Sequence, residues 1–445
     1  MSAPSSLIAR LGLTLLVLSP IGISPVASAP ATVLRCGQVI DSEAGKLVGA
    51  HSLLVENGRI SQVVPGSEAK FDSAQEIDLG GYTCLPGLTD LHVHLSGQQS
   101  KESYSEGFRL NPADYALRGA LYAERTLLAG FTSVRDLGAA DGIAIALRNA
   151  INAGTIKGPR IYAAGKSIAS TGGHADPRNG INRELLHAFG YPEPEDGVVD
   201  SVDEARKAVR ARYKEGADAI KITATGGVLS YAKSADNPQF TVAEIEAIVD
   251  TARDYGFTVA AHAHGAEGIK RAVLGGVTTI EHGTYVNDEI VRLMKARGTY
   301  LVPTLLAGAY VSEKAKIEGW FPEIVRPKAA AVGAQIQAAF KNAYAAGVPF
   351  AFGTDSGVSA HGDNAREFEL LVQAGVSPAA AIRSATITPA VILGVATDSG
   401  RIAPGQFADV IAVRGDPLQN IALLRDIRFV MKNGVVYKSD AGAAP

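Results

Sequence analysis

The stretch Leu85–Gly97, LPGLTDLHVHLSG, ends a short apolar run with two histidines one residue apart. In an extended strand, residues two apart point to the same face. Leu91 and Val93 would then pack against neighbouring elements, while Asp90, His92 and His94 point the other way. The stretch predicts a strand whose inward face carries either a metal-binding pair or two structural histidines.

Seven further apolar runs of the same kind follow, and amphipathic stretches typical of helices separate them. The runs are FTSVRDL, RIYAAG, DAIKITAT, FTVAAHAH, VTTIEHG, TYLVPT and VPFAFGTDSG. Alternation of strands and helices indicates βα units and a parallel sheet. We therefore predict a (β/α)8 TIM barrel over residues 86–397. An open doubly wound sheet is the alternative, but no glycine-rich nucleotide loop follows the first run.

The two ends of the chain share a different pattern of short β-rich runs broken by turn signals. Asn57-Gly58 and Asn433-Gly434 are typical hairpin turns. We predict that residues 30–85 and 398–445 together form one small β-sandwich domain, into which the barrel is inserted.

Composition restricts the partners. The 445 residues carry a net charge of −3 and an apolar fraction of 47%. That apolar fraction is sufficient for a large core, and no dense cluster of Lys and Arg predicts binding to nucleic acid. Small molecules are the expected partners.

The N-terminus resembles an export signal. Leu11–Ile23 is apolar, Arg10 precedes it and small residues follow at Ala27 and Ala29. We predict a signal peptide over residues 1–29, an exported protein, periplasmic or secreted, and no stable membrane association after processing. A permanent transmembrane anchor is the alternative, but the apolar stretch is short and Pro20 interrupts it. Cys36 and Cys84 are the only cysteines, and the sequence allows either a disulfide or two buried thiols.

Residue types that bind metals recur at the carboxyl ends of five predicted strands, where barrel enzymes place their chemistry. These residues are His92, His94, Lys221, His262, His264, His282 and Asp355. Lys221 lies between Ile220 and Ile222, so its amine must point inward, where a lone ammonium is costly. One lysine or one histidine alone could be structural, but five strands supplying such residues to one rim predict a metal centre.

In order and spacing, DLHVH, AIKI, AAHAHG, TIEHG and FGTDSG resemble the metal-dependent amidohydrolase superfamily. The similarity is greatest to its prolidase-like and Xaa-Arg dipeptidase subgroup and to amidohydrolases that hydrolyse ochratoxin A. The resemblance implies two divalent ions, with zinc expected because imidazoles dominate the ligands. His92, His94 and Asp355 would bind one ion and His262 and His282 the other.

The resemblance also implies that Lys221 is carboxylated, so that carbamate oxygens bridge the ions. His262 is favoured over His264 as the ligand, which leaves His264 near the substrate, although both rings face inward. Asp355 would take a proton from the bridging nucleophile and pass it to the leaving amine. His174 would hydrogen-bond the scissile carbonyl or its oxyanion.

Three further residues are candidates for holding a substrate carboxylate: Tyr231, Lys233 and Arg366. The expected reaction is hydrolysis of an amide or peptide bond in a dipeptide or N-acyl amino acid, including ochratoxin A cleaved to phenylalanine and ochratoxin alpha. A cyclic-amide hydrolase, a deaminase on the same barrel and a non-catalytic binding protein are the alternatives. By resemblance we expect a homo-oligomer, with an octamer as one expected size.

Overall fold

The computed structural model describes residues 31–66, 69–71 and 74–440. The predicted signal peptide lies outside the described residues. Within them, no helix is both long enough and apolar enough to cross a lipid bilayer.

Strands from both ends of the chain form one mixed sheet, as the turn patterns predicted. Its strands are β1 (Thr32–Asp41), β2 (Lys46–Leu47), β3 (His51–Glu56), β4 (Arg59–Pro65), β5 (Gln75–Pro86), β13 (Val410–Val413), β14 (Phe429–Lys432) and β15 (Val435–Ser439). The order is β15-β14-β13-β5-β1-β3-β4, with β2 paired to β1. The join between the two ends is the antiparallel pairing of β5 with β13. A second sheet of a sandwich stays a prediction.

A disulfide between Cys36 on β1 and Cys84 on β5 links these neighbouring strands, so the structure resolves the alternative that the sequence left open. Both residues are fully buried.

Replacing both cysteines with alanine should lower the free energy of unfolding by about 2–4 kcal/mol, because the bond restricts the unfolded chain. Urea denaturation of the wild type and the variant, each with and without reductant, measures this. The difference that persists under reductant is the cost of the lost side chains. Equal midpoints for the two proteins without reductant would refute the stabilising role.

The middle of the chain forms two parallel sheets. The first contains β6 (Leu88–Val93), β7 (Phe131–Asp136) and β8 (Arg160–Ala163). The second contains β9 (Ile220–Thr223), β10 (Val259–Ala263), β11 (Thr279–His282) and β12 (Tyr300–Val302). These strands correspond to the first seven predicted runs.

The eighth predicted strand is not regular. Residues 348–357 make single bridges, from Phe350 to Leu301 and from Ser356 to Val93. Asp355 and Gly357 have positive φ angles of 57° and 116°, which interrupt an extended backbone. The segment nevertheless runs between β12 and β6, because Ala351 donates to Leu301 and Leu91 donates to Phe352 through the backbone.

Helices alternate with these strands. They are α1 (Ser103–Glu106), α2 (Pro112–Leu128), α3 (Ile143–Asn152), α4 (Arg183–Phe189), α5 (Val202–Glu215), α6 (Val242–Asp254), α7 (Ala266–Leu274), α8 (Asp288–Arg297), α9 (Leu305–Lys314), α10 (Arg326–Ala345), α11 (Arg366–Gln373), α12 (Pro378–Ser384) and α13 (Ile387–Ile392). Two 3₁₀ helices lie at Pro194–Asp196 and Ile421–Arg425. Local signals set the ends: Thr241 and Glu244 form a capping box on α6.

The largest core cluster lies between the strands and the helices. Ile220 and Ile222 pack there with Val209 of α5 and Ile248 of α6. The alternation argument for β9 is therefore confirmed, since both isoleucines face the helices and Lys221 lines a cavity on the other side.

Candidate metal centre

A cavity of about 580 Å³ lies at the carboxyl ends of the parallel strands. The seven ligand-type residues predicted from the strand ends all line it: His92, His94, Lys221, His262, His264, His282 and Asp355. The structure therefore brings together side chains that are up to 263 positions apart in the sequence (355 − 92 = 263).

Two groups of potential ligands converge within this cavity. The donor atoms of His92, His94 and Asp355 lie within 4.8 Å of one another. Asp355 Oδ1 is 3.5 Å from His92 Nε2 and 3.3 Å from His94 Nε2. The second group, His262, His264 and His282, meets the same limit. Both His262 and His264 thus have ligand geometry, and the preference for His262 stays a prediction.

Hydrogen bonds orient each ring so that one nitrogen remains for a ligand. His92 Nδ1 donates to Glu281 Oε2 at 2.8 Å and His94 Nδ1 donates to Gly138 O at 2.9 Å, which leaves Nε2 of both rings. In His262 the pattern is reversed, because Nε2 donates to Gly226 O at 2.9 Å and leaves Nδ1. Such fixed tautomers are typical of metal-binding histidines.

Nδ1 of the other two rings contacts threonine hydroxyls at 2.7 Å. His282 meets Thr304 Oγ1 and His264 meets Thr284 Oγ1. Nε2 of each ring therefore remains for a ligand.

Burial keeps most of these rings neutral. Desolvation lowers the pKa of His92, His262 and His282 well below the ordinary histidine value, and nearby Lys221 lowers it further. Neutral imidazoles keep the lone pair that a metal needs. The donor set therefore fits divalent ions that accept nitrogen ligands.

Asp355 and His94 shift each other's pKa in opposite directions. Burial raises the pKa of Asp355, but His92 and His94 outweigh it and leave that pKa below its ordinary value. Burial lowers the pKa of His94, but Asp355 outweighs it and leaves that pKa raised. Asp355 is thus an anionic ligand near neutral pH.

Lys221 is buried on β9, and its Nζ lies 3.3 Å from His92 Nε2. Burial lowers the pKa of Lys221 to about 8. A substantial fraction of the amine is therefore neutral in mildly alkaline solution, and a neutral amine is nucleophilic.

Backbone strain is concentrated around the cavity. Six non-glycine residues of the described chain have positive φ, and four of them line the cavity: Asp141, His282, Thr304 and Asp355. Left-handed backbone costs about 1–3 kcal/mol per residue where it is sparsely populated, and it accumulates at functional sites. The alternation of side chains in the sequence could not predict these positive φ angles.

Arg135 and Asp136 are neighbours in β7 but have separate partners. Arg135 is fully buried and bonds Glu281 Oε1 at 3.0 Å and Leu91 O at 2.8 Å. Asp136 instead accepts from the backbone of Leu95 and Gly138. Adjacent strand residues point to opposite faces, so Arg135 could not share a face with Asp136.

Asp90 holds the segment that carries Asp355. Its carboxylate accepts from Thr354 Oγ1 at 2.6 Å and Asn364 Nδ2 at 2.8 Å. Burial raises the pKa of Asp90 to about 6. Asp90 therefore positions the segment of the potential ligand Asp355 and is itself outside both donor groups.

His174 lies in the cavity, as predicted, and stacks on His262 with ring centroids 4.2 Å apart. Its Nδ1 bonds Ser230 Oγ. Burial lowers the pKa of His174 to about 3, so the ring is neutral. It can therefore offer Nε2 to a ligand in the cavity.

The three predicted carboxylate contacts are not among the residues that line the cavity. Tyr231 is 55% exposed, Lys233 is exposed, and Arg366 pairs with Asp363 at 3.5 Å. Lys166 and Arg178 line the cavity instead. These two cations follow β8, in loops that carried no strand signal.

Part of the cavity lining is apolar, and this part is called the apolar wall. Its residues come from α9, α10 and two loops: Val228, Leu229, Ala307, Val311, Val332, Ile336 and Val358. Such a wall favours an apolar group on the ligand.

Several hydrogen-bond partners of the ligands could not be recognised individually from the sequence. Glu281 had one usable signal, because alternation in VTTIEHG turns an acidic residue inward. Thr304, Thr284 and Ser230 had none, since hydroxyl residues are common in loops.

Glu367 binds the backbone directly after Thr304. Its buried carboxylate accepts from Leu305 N at 2.9 Å and Leu306 N at 2.7 Å, the first residues of α9. An anion is stabilised at a helix N-terminus. Desolvation nevertheless raises the pKa of Glu367 to about 8.

Glu367 should therefore make the protein less stable as pH rises. Between pH 4.5 and about 8 the unfolded chain loses this proton while the folded chain keeps it, which favours unfolding. The stability of the wild type relative to Glu367→Gln should fall from pH 5 to 9 in urea denaturation. Glu369→Gln, at a half-exposed position on the same helix, is the matched control. Parallel pH curves for wild type and Glu367→Gln would contradict the shift.

Comparison with known proteins gives one family. A sequence model of the Amidohydrolase family matches residues 83–438. Ochratoxinase of Aspergillus niger is 31% identical over 441 residues, which cover 94% of this chain and 89% of that protein.

Two solved structures share the fold closely. A Xaa-Pro dipeptidase with methionine bound in its active site has a TM-score of 0.89 and 46% identity, covering 92% of this chain and all of that one. A prolidase bound to N-methylphosphonate-L-proline has a TM-score of 0.83 and 33% identity, again over 92% of this chain and 100% of that chain.

Proposed function

The chain belongs to the amidohydrolase family and is a hydrolytic enzyme, and from that premise we propose a binuclear metal-dependent hydrolase of amide and peptide bonds. The substrates would be dipeptides or N-acyl amino acids. One observation carries the proposal: two groups of neutral or anionic donors and a buried lysine converge in one cavity.

Divalent ions fit these donors, and zinc is the proposed ion because imidazole nitrogens dominate the set. His92, His94 and Asp355 would hold one ion and His262 and His282 the other, with His264 close to the substrate. When bound, the pair of ions supplies an activated water and polarises the amide carbonyl.

Lys221 would join the two ion sites as a carbamate. The neutral amine would attack CO₂, so that a C–N bond forms while one C=O π bond breaks, and the nitrogen would then lose one N–H proton to solvent, which gives an anionic N-carboxylate. The lowered pKa of Lys221 supports this step, because an ammonium cannot react. The carbamate would also remove the cost of a buried positive charge.

Two side chains would handle the reacting groups. Asp355, buried and anionic, would accept a proton and deliver it to the leaving amine. His174 would offer Nε2–H to the scissile carbonyl oxygen while Ser230 holds its Nδ1.

The cavity walls suggest a substrate with an apolar group and a carboxylate. The apolar wall of α9 and α10 suits the side chain, and Lys166 and Arg178 offer positive charge elsewhere in the same cavity. Tyr231, Lys233 and Arg366 remain alternative carboxylate contacts. An ochratoxin-like amide, in which phenylalanine is joined to an aromatic acid, has both features, and a homologue is named ochratoxinase.

The same proposal includes a closed (β/α)8 barrel over residues 86–397, with a small domain of residues 30–85 and 398–445. Backbone bonds support closure: Ile168 donates to Lys221 between the two sheets, and Asp355 donates to His92 at the other gap. We further propose export after removal of residues 1–29, and a homo-oligomer, for example an octamer. Light scattering of the purified protein tests the oligomer.

A panel of substrates on zinc-loaded protein tests the function. Dipeptides, N-acyl amino acids and an ochratoxin-type amide are compared with the same compounds amidated at the carboxylate, and released amines are measured by mass spectrometry. We expect hydrolysis of apolar members with a free carboxylate. Failure to cleave any amide would overturn the proposal, and equal rates on both forms would refute carboxylate recognition.

Matched variants then locate the carboxylate site. Lys166→Met and Arg178→Met form one set, and Tyr231→Phe, Lys233→Met and Arg366→Met form the other. The set that abolishes the preference for the free carboxylate contains the site.

A further inference from the structure

The loop that follows β9, residues 226–238, contributes to the cavity in three ways. Gly226 O accepts from His262 Nε2, Val228 and Leu229 line the apolar wall, and Ser230 Oγ bonds His174 Nδ1. One loop therefore touches two of the histidines and shapes the space for the ligand.

The backbone of this loop packs directly on His174. A Cβ at Gly227 would overlap the His174 ring. The same ring stacks on His262. The His174 ring therefore contacts both the loop and His262, and displacement of Gly227 or Ser230 would remove the contacts from the loop.

A single lysine of α10 anchors the loop. Lys328 Nζ lies 2.7 Å from Ala232 O, 2.8 Å from Ser230 O and 3.2 Å from Gly227 O. An ammonium has three N–H donors, and these three carbonyls use all of them. Within the described residues Lys328 has no carboxylate at ion-pair distance, so its charge interacts chiefly with the loop.

Residues 227–232 of this loop make fewer other polar contacts. Tyr104 Oη donates to Leu229 O at 3.0 Å, and Ser230 N donates to Gly227 O at 3.3 Å. Lys328 therefore provides most of the polar contacts that attach residues 227–232 to the barrel helices.

We infer that Lys328 is a positioning residue that fixes loop 226–238 and, through Gly227 and Ser230, sets the orientation of His174. The inference rests on the proposed function only for the role of His174. The contact of Lys328 with the loop can be tested without any substrate.

Hydrogen exchange measured by mass spectrometry on the full-length protein provides that test. Lys328→Ala should increase exchange in peptides that contain residues 227–232, and Lys341→Met, at an exposed position on the same helix, should not. Propylammonium fits the vacated path and has three N–H donors, so it should restore protection. Tetramethylammonium has none and should not. Unchanged exchange in Lys328→Ala would overturn the inference.

Kinetics test the link to His174. On an amide that the wild type hydrolyses, Lys328→Ala should lower kcat about 10–100-fold, the usual range for groups that orient ligands, with metal content unchanged. Propylammonium should restore kcat several-fold. In a Ser230→Ala background the same change should cost much less, because the connection is already broken.

The outcomes separate the two proposals. Inactive wild type with a loop that loosens in Lys328→Ala rejects the function and leaves the anchor standing. Active wild type with full kcat in Lys328→Ala rejects the positioning role.

Discussion

Replacing Lys221 with alanine is expected to abolish binding of the two proposed metal ions and to lower kcat/KM by roughly a thousandfold or more, because the proposed bridging ligand would be lost. Lys221 lines the same cavity as both donor groups, and its Nζ is 3.3 Å from His92 Nε2. Without the proposed carbamate, each group retains only its own three donors. Metal analysis of dialysed protein and steady-state kinetics measure the two effects.

Two controls separate bridging from general damage. Lys166→Ala also removes a cavity lysine, but that residue pairs with Asp196 at 3.1 Å and lies outside both donor groups, so metal content should not change. Propionate added to Lys221→Ala supplies a free carboxylate that fits within the vacated space and should partly restore metal binding. Protein reconstituted with ¹³CO₂ should show a carbamate carbon signal that Lys221→Ala lacks. Full metal content in Lys221→Ala would reject the bridge.

The second large effect, a loss of stability, is expected at the buried ion pair of Arg135 and Glu281. Replacing either with methionine should lower the free energy of unfolding by about 3–5 kcal/mol, because an uncompensated charge is left in the core. Both side chains are fully buried and 3.0 Å apart. Urea denaturation measures the loss. Arg253→Met removes an exposed pair with Asp250 and should cost less than about 1 kcal/mol.

The double variant Arg135→Met/Glu281→Met should lose less than the sum of the two single variants, since both charges are absent. Metal affinity should depend on Glu281 and not on Arg135. Only variants without Glu281 lose the acceptor for His92 Nδ1, so their affinity should fall about 10–100-fold while Arg135→Met retains it. Additive stability losses, or equal affinities in all variants, would contradict this arrangement.

Prediction from the sequence succeeded where periodicity was strong. Alternation placed His92, His94 and Lys221 on the inward face, and all three line the cavity. The hairpins at Asn57-Gly58 and Asn433-Gly434 joined a single sheet, as their turn signals indicated. Prediction was weaker in loops, where Lys166 and Arg178 line the cavity and the predicted Tyr231 and Lys233 do not. Loop residues have no fixed period, so spacing does not tell which way they point.

The amino-acid sequence by itself determined three features: the alternation of strands and helices, the contribution of both chain ends to one sheet, and the residue types at the strand ends. All three follow from local patterns of apolar and polar residues. Only the tertiary structure decided that Arg135 pairs with Glu281, that Cys36 bonds Cys84, and that Lys328 holds loop 226–238. Those contacts join residues far apart in the chain, and their geometry depends on how the elements pack. For Leu85–Gly97, periodicity gave the direction of two histidines, and packing supplied the hydrogen bonds that leave one nitrogen of each ring facing the cavity.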